Sequence, residues 1–260
     1  VIADENIPEV KKIKKISIKK NFNLSLINNE SKGIQLVSHR FEKEKQILEI
    51  KFKKAKYKIY LNLIGKIQVK NILMAIMAAY KSGIKFKKIL KIVPRISPVK
   101  GRLEKIGKIR NNSKVILDYA HTPAALKLAL LNLKEQFPFS RINLIFGCGG
   151  ERDLKKRPLM GKVAAKFSDM IVVTNDDPYW EDPSEIIGHI LEGIPSKLHH
   201  NLIKIIDRKK AIEAAFNLLH PNDVLVLAGK GGEKVTVIGD KTLDFDEKQI
   251  VLDLISQNGS

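Results

Sequence analysis

Four short polar clusters beyond Arg102 hold the residue types that do chemistry. Asp118-Tyr-Ala-His121 precedes Pro123, which opens an apolar-periodic run. A carboxylate at a strand end accepts hydrogen bonds from ribose hydroxyls and a helix N-terminus favours an anion, although capping a helix is the commoner use of such an Asp. Gly147-Cys-Gly-Gly150 runs into Arg152-Asp-Leu-Lys-Lys-Arg157. Glycines let backbone N–H groups approach an anion, and a guanidinium grips a carboxylate with two parallel hydrogen bonds. Cys148 in that turn is either a nucleophile or a small packed residue. Asn175-Asp-Asp-Pro178 with Tyr179-Trp-Glu-Asp182 is acidic within a basic chain. It suits an ammonium group or a metal-bound substrate, or else a plain Asx turn and helix cap. Gly229-Lys-Gly-Gly-Glu233 follows an apolar run and would bring Lys230 and Glu233 into the same cleft. None of the four matches the phosphate loop G-x-x-x-x-G-K-[ST].

These clusters need elements to position them. From Arg102 onward the pattern alternates: strands at Val115–Asp118, Ile142–Phe146, Met170–Val173, Ile203–Ile206, Val224–Leu227 and Val235–Ile238, helices at Pro123–Leu133, Pro158–Phe167, Pro183–Leu191, Lys210–Leu219 and Glu247–Ile255. Strands separated by helices of this length predict an α/β fold with a mostly parallel sheet covered on both faces. In such sheets ligands bind outside the carboxyl ends of the strands, where all four clusters fall. Residues 1–65 read as short strands (Ile13–Ile18, Gly33–Val37, Ile47–Phe52, Tyr57–Leu63), the Lys run 11–20 forming the wet face of edge strands. Helical spacing then sets in at Asn71, and a second helix covers Phe86–Ile92. Pro94, Pro98 and Gly101 mark a linker, so two domains are expected, 1–98 and 99–260.

The chain has 260 residues with 47 Lys+Arg against 28 Asp+Glu, a net charge of +19. Its 44% hydrophobic content supports a sizeable core. No apolar run reaches the roughly 18–20 residues that span a bilayer, so no membrane partner is expected. One Cys excludes an internal disulfide framework and fits a reducing, cytoplasmic setting. Such a charge raises the question of nucleic acid. Only eight of the 47 cations are Arg, and aromatics are 6%, whereas base reading leans on Arg and strand binding on stacked aromatics. Nucleic acid is therefore the alternative from a different class.

Taken together the motifs resemble the Mur ligases, and within them the type that adds the third amino acid to the peptidoglycan precursor UDP-N-acetylmuramoyl-L-alanyl-D-glutamate. Gly65-Lys-Ile-Gln-Val-Lys-Asn71 with Ala75 and Ala79 is similar to that family's G-x-x-x-x-x-N-x-x-x-A helix start, and Gly101-Arg-Leu-Glu104 to its G-R-x-E linker. Asp118-Tyr-Ala-His-Thr-Pro123 matches D-Y-A-H-T-P. Phe146 to Met160 resembles F-G-C-G-G-x-R-D-x-x-K-R-P-x-M, Thr174 to Pro183 the T-x-D-N-P-R-x-E-x-P segment, and Ala228 to Glu233 A-G-K-G-H-E.

The resemblance implies the end of a central ATPase domain followed by a Rossmann-like C-terminal domain. It implies an ATP-dependent, Mg²⁺-assisted amide-bond ligase working through an acyl phosphate, a monomer whose partners are the UDP-linked dipeptide and a diamino acid. By motif position Asn71, Arg102, Asp118 and His121 would line the nucleotide side. Arg152, Asp176, Asp177, Pro178, Tyr179, Gly229 and Glu233 would surround the amino acid, with Lys156 and Lys230 as candidate catalytic residues. A folylpolyglutamate synthetase-like member of the superfamily is the nearest enzyme alternative. Two positions depart from the pattern. Asp176-Asp-Pro-Tyr179 stands where the family has D-N-P-R, which removes an Arg able to pair with the distal carboxylate of meso-diaminopimelate and opens the choice to L-lysine. Gly232 stands where the family has His. The missing phosphate loop further implies that the 260-residue chain is the latter part of a longer ligase and does not turn over ATP alone.

Overall fold

The computed structural model describes residues 1–28, 33–109 and 111–257. It divides into two compact units, Val1–Ser97 and Pro98–Ser260.

In the first unit β1 (Ile2–Asp4) pairs in parallel with β2 (Ser25–Ile27), and α1 (Val10–Lys19) connects them. Three longer strands, β3 (Ile34–Glu42), β4 (Lys45–Phe52) and β5 (Ala55–Leu61), form an antiparallel sheet. Helices α2 (Ile67–Lys81) and α3 (Phe86–Ile92) cover it. Leu48, Ile50, Ile59 and Leu61 from the strands meet Leu73, Ile76 and Met77 of α2 and Phe86 of α3 in one core cluster. The segment Ile13–Ile18, expected as a strand, lies inside a helix. Val10, Ile13, Lys14 and Ser17 recur at helical spacing as its less exposed positions, whereas Ile16 and Ile18 are exposed. A period-2 reading of so short a Lys/Ile run cannot see that stripe. Helix α2 begins at Ile67, which puts Asn71 in its second turn.

The second unit holds a six-stranded sheet of β6 (Glu104–Lys108), β7 (Lys114–Asp118), β8 (Ile142–Phe146), β9 (Met170–Val173), β10 (Leu202–Lys204) and β11 (Val224–Ala228). Their order is β10-β9-β8-β11-β7-β6, parallel except for β6. Every residue of β7, β8, β9 and β11 is buried, as strands covered on both faces must be. The connections run through α4 (Pro123–Gln136), α5 (Lys156–Phe167), α6 (Pro183–Leu191) and α7 (Arg208–Asn217), and α8 (Glu247–Gln257) closes the unit. Thr122, Asp182 and Asp207 cap α4, α6 and α7, each accepting from a backbone N–H of the first turn. Val235–Ile238, expected within the parallel sheet, instead forms β12 of an antiparallel hairpin with β13 (Lys241–Asp244). Three or four alternating residues identify a strand but not the sheet it joins. No helix among the described residues is long and apolar enough to cross a membrane.

Candidate functional site

Because β7, β8, β9 and β11 are adjacent and parallel, the loops that follow them meet at one edge of the sheet. There they enclose an open cleft of ≈ 620 Å³ lined by Tyr119, His121, Thr122, Pro123, Gly149, Arg152, Asp153, Lys156, Asp176, Asp177, Tyr179, Gly229 and Glu233. Residues from all four polar clusters thus share one wall-to-wall space.

The backbone permits this closeness only where side chains are missing. A Cβ on Gly150 would lie 1.9 Å from the carbonyl oxygen of Pro178, and Gly150 N–H donates to Asp177 O at 2.8 Å. Gly229, with φ +117°, would place a Cβ 2.6 Å from Asp176 Oδ2. Loops after β8, β9 and β11 are therefore stitched together by glycine contacts, and Pro178 supplies backbone to this seam.

Charges in the cleft are arranged in layers. Beneath it, Arg157 is fully buried; its guanidinium pairs with Glu181 at 2.8 Å, donates to Gly149 O at 3.3 Å, and meets His189 Nδ1 at 3.1 Å. Arg157 first among the causes holds the Glu181 carboxyl below its ordinary value, and Glu181 also accepts from Glu151 N–H. Both residues stand in the quoted motifs, but no periodicity or spacing indicated that they would clamp the loops from below.

Lys230 is also internal, at 1% exposure. Its ammonium donates to Asp177 Oδ1 at 2.7 Å and Val235 O at 2.9 Å and lies 3.4 Å from Asp176 Oδ1. Asp177 Oδ1 additionally accepts from Thr236 Oγ1 and Val237 N–H. The structure thus places Lys230 beneath the cleft, where its ammonium pairs with Asp177, lies near Asp176 and ties the β12–β13 hairpin to the β9 loop. Tyr179 sits in the left-handed region at φ 52°. Backbone hydrogen bonds Tyr179 N–H to Val237 O (3.3 Å) and Gly239 N–H to Tyr179 O (2.7 Å) hold it there.

Exposed and half-buried groups form the upper layer. The Arg152 guanidinium lies over the Tyr179 ring at 5.1 Å and donates to its hydroxyl at 3.2 Å. Lys156, in the first turn of α5, donates to His121 O at 3.3 Å, and the His121 ring meets Tyr119 edge-on at 4.8 Å. His121 Nδ1 lies 2.9 Å from Tyr119 O, so that nitrogen carries hydrogen. The Glu233 carboxylate beside the Tyr119 hydroxyl pushes that phenol above its ordinary value.

Three more of the residues read from the sequence lie outside the lining. Asp118 is buried, its two carboxylate oxygens accepting from Leu103 N–H at 2.8 Å and Ala120 N–H at 3.0 Å, and burial pushes its carboxyl up. It anchors the linker, and the helix-capping role expected for it falls to Thr122 instead. Arg102 lies over the Tyr119 ring at 4.4 Å. Asn71 belongs to the first unit, where its side chain donates to Gln68 Oε1 at 3.1 Å. Cys148 is buried, and desolvation pushes its thiol up to about 12, which removes it as a nucleophile and leaves the packed role.

Residues 101–231, half of the chain, match the family described as "Mur ligase, glutamate ligase domain". A UDP-N-acetylmuramoyl-L-alanyl-D-glutamate–2,6-diaminopimelate ligase of Rickettsia felis is 37% identical over 260 residues, covering 99% of this chain and 47% of that protein. A ligase of the same description from Clostridium acetobutylicum is 40% identical over 200 residues, covering 76% of this chain and 41% of its own length. The chain therefore spans about half the length of the curated relatives it matches. A solved structure of such a 2,6-diaminopimelate ligase superposes with TM-score 0.72 at 25% identity, covering 100% of this chain and 53% of the other. A folylpolyglutamate synthase from Mycobacterium tuberculosis, solved with ADP and AMPPCP, shares the fold with TM-score 0.68 at 19% identity, over 88% of this chain and 52% of its own.

Proposed function

The chain belongs to the Mur ligase family, and on that premise we propose that it serves an ATP-dependent ligase that joins a diamino acid to UDP-N-acetylmuramoyl-L-alanyl-D-glutamate in peptidoglycan precursor synthesis. The observation that carries the reading is the cleft at the strand ends. Arg152 offers a cation to a carboxylate while Asp176 and Glu233 offer anions to an ammonium group, all from loops held by a rigid sheet. That charge pattern complements a zwitterion. Holding an amine in place beside an activated carboxyl converts a bimolecular encounter into a positioned one, which is the larger part of what such a site supplies.

The amino acid we favour is 2,6-diaminopimelate, with L-lysine as the alternative. Asp177, which stands where the family has Asn, is matched by Lys230 and adds no unpaired anion. Arg152 stands against Tyr179, so the wall still presents a guanidinium although Tyr replaces the expected Arg. Both curated relatives named above carry 2,6-diaminopimelate in their names. Calorimetric titration of the chain with 2,6-diaminopimelate and, separately, with L-lysine tests this without requiring ATP turnover. Equal affinity for both, or binding of lysine alone, overturns the choice; binding of neither overturns the function.

ATP supplies the phosphoryl group that activates the acid. Arg152, Lys156 and the N-terminus of α4 give this chain cations and N–H donors toward a phosphate. Among the described residues no three His, Cys, Asp or Glu converge to hold a metal ion. No phosphate loop occurs in the 260 residues, and the polypeptide alone is expected not to release phosphate from ATP. An ATP-consuming step on a nucleotide-linked precursor supports a cytoplasmic setting.

A further inference from the structure

The +19 is not evenly spread. The first unit, residues 1–97, carries 23 Lys and Arg against seven Asp and Glu, whereas residues 98–260 carry 24 against 21. A coding preference for Lys raises its frequency everywhere; it does not empty one region of carboxylates. From Ile50 to Ser97 there are 13 cations and not one Asp or Glu. Like charges at this density repel one another and destabilise a compact state unless an external anion compensates them.

The packing of α3 arranges part of this charge. Phe86, Ile89 and Val93 turn into the core. Lys87, Lys88 and Lys91 are left outside, together with Lys85 at the N-cap. None of the four makes an ion pair with a described residue. Flanking them, Ile84 is 46% and Ile92 58% exposed. Exposed aliphatic side chains set among lysines suit an interface in which the amines meet anionic headgroups and the aliphatic groups meet the acyl boundary. A nucleic-acid surface would favour Arg forks and stacked aromatics; the whole unit has two Arg, Arg40 and Arg95.

We infer that the outward face of α3, with Ile84 and Ile92, is a docking surface for an anionic phospholipid bilayer, contacted peripherally. This goes beyond the ligase reading and does not depend on it. It departs from the expectation of no membrane partner: the lack of an apolar spanning run excludes only a crossing, and a surface contact has a different signature.

The test is co-sedimentation of the full 260-residue chain with vesicles of phosphatidylcholine, with and without about one-third phosphatidylglycerol, in moderate salt. The chain is expected to pellet with the anionic vesicles, to stay in solution with the neutral ones, and to be released as salt is raised. Reversing Lys85, Lys87, Lys88 and Lys91 to Glu should lower partitioning by about 1,000-fold. A second variant reverses the exposed Lys127, Lys162, Lys209 and Lys210 of the other unit, changes net charge equally, and is expected to lower it far less; circular dichroism checks that both fold. Equal loss in the two variants would mean that net charge, not this face, is recognised, and overturns the inference. So do absence of binding to the anionic vesicles, equal binding to neutral ones, and displacement from them by a short DNA duplex at equal phosphate concentration.

Discussion

The two units solve the burial of a sheet in opposite ways. In the first, an antiparallel sheet rests one face on α2 and α3, and its lysines stay in water. Its buried Asp4 is matched by Lys70 at 2.8 Å. In the second, both faces of the sheet are covered, so polar groups are confined to the strand ends, and there several are taken out of water together. Arg157 with Glu181, Lys230 with Asp177, and Arg208 with Glu247 are the result. A fold that concentrates its charges at one rim gains a site but makes each charge costly to leave unpaired. Surface lysines on the first unit carry no such obligation.

The sharpest way to break this contrast is to remove one partner of a buried pair. Arg208 and Glu247 are 4% and 1% exposed at their side chains and meet at 2.6 Å; Arg208 also donates to Asn175 O and Ala228 O. Arg208→Ala should cost about 3–5 kcal/mol by urea unfolding, because it strands a buried carboxyl and two carbonyls. Trp180, the chain's single Trp, lies in this unit and reports the transition. By contrast Lys58→Ala, on an exposed strand position of the first unit, should stay within about 0.5 kcal/mol. Similar costs for the two would remove the distinction.

Glycines give the next contrast. Gly150→Ala drives a methyl into the Pro178 carbonyl and should cost about 1–3 kcal/mol while weakening amino-acid binding, since the β8 and β9 loops must part. Gly83 has φ +94°, but a methyl there would meet nothing within 4 Å, so Gly83→Ala should cost about 1 kcal/mol from backbone conformation alone. Urea midpoints of both variants, with amino-acid titration of the first, decide whether close approach or backbone strain is the larger effect.

What the sequence disclosed follows the same division. In the second unit a buried parallel strand is a bare apolar run, each run is punctuated by Gly, Pro or Asp, and the loops hold the chemistry; Asp118, Gly147, Asn175 and Gly229 could be placed at strand ends from order alone. Partnership was not legible. Lys230 looked like a cleft cation and Asp177 like a spare anion, and only the approach of the β12–β13 hairpin shows them neutralising each other. Arg157 carried no visible sign of full burial, because its partners lie 24 and 32 residues away. The first unit was harder throughout. Lys alternating with Ile over ten residues satisfies a strand and a helix almost equally, and tertiary contact with Ala3 and Leu26 settled it as a helix.

Acid should separate the units by sign. Burial raises the Asp4 carboxyl, but Lys70, Asn6 N–H and Asn28 more than offset it, and its net value lies below the ordinary 3.8. Its contribution to stability is present above that ordinary value and is lost as pH falls through the folded one. Asp118 is shifted the other way, burial outweighing the Leu103 and Ala120 N–H groups and Arg102. Its contribution is present below 3.8 and lost as pH rises through the raised value. Urea midpoints between pH 6 and pH 3 should therefore show less acid loss for Asp4→Asn than for the parent, and more for Asp118→Asn. Parallel curves for both variants would contradict the assigned shifts.

The smallest expected effect tests the segment where the two periodicities competed. As a helix, α1 turns Ile13 toward Ala3, Val10 and Leu26 and leaves Ile18 83% exposed. Ile13→Ser should then cost about 1–2 kcal/mol through lost apolar burial, and Ile18→Ser no more than about 0.5 kcal/mol. As an edge strand, Ile16 and Ile18 would lie together on one face, opposite Ile13, and the order of costs would follow that face. Circular dichroism adds an independent sign: Ser17→Pro, in the last helical turn and a half of Val10–Lys19, removes the N–H donor of a helical bond and should lower the helical signal. A strand whose outward N–H faces water would lose nothing there, so an unchanged spectrum with Ile18→Ser costlier than Ile13→Ser would return the segment to the strand reading.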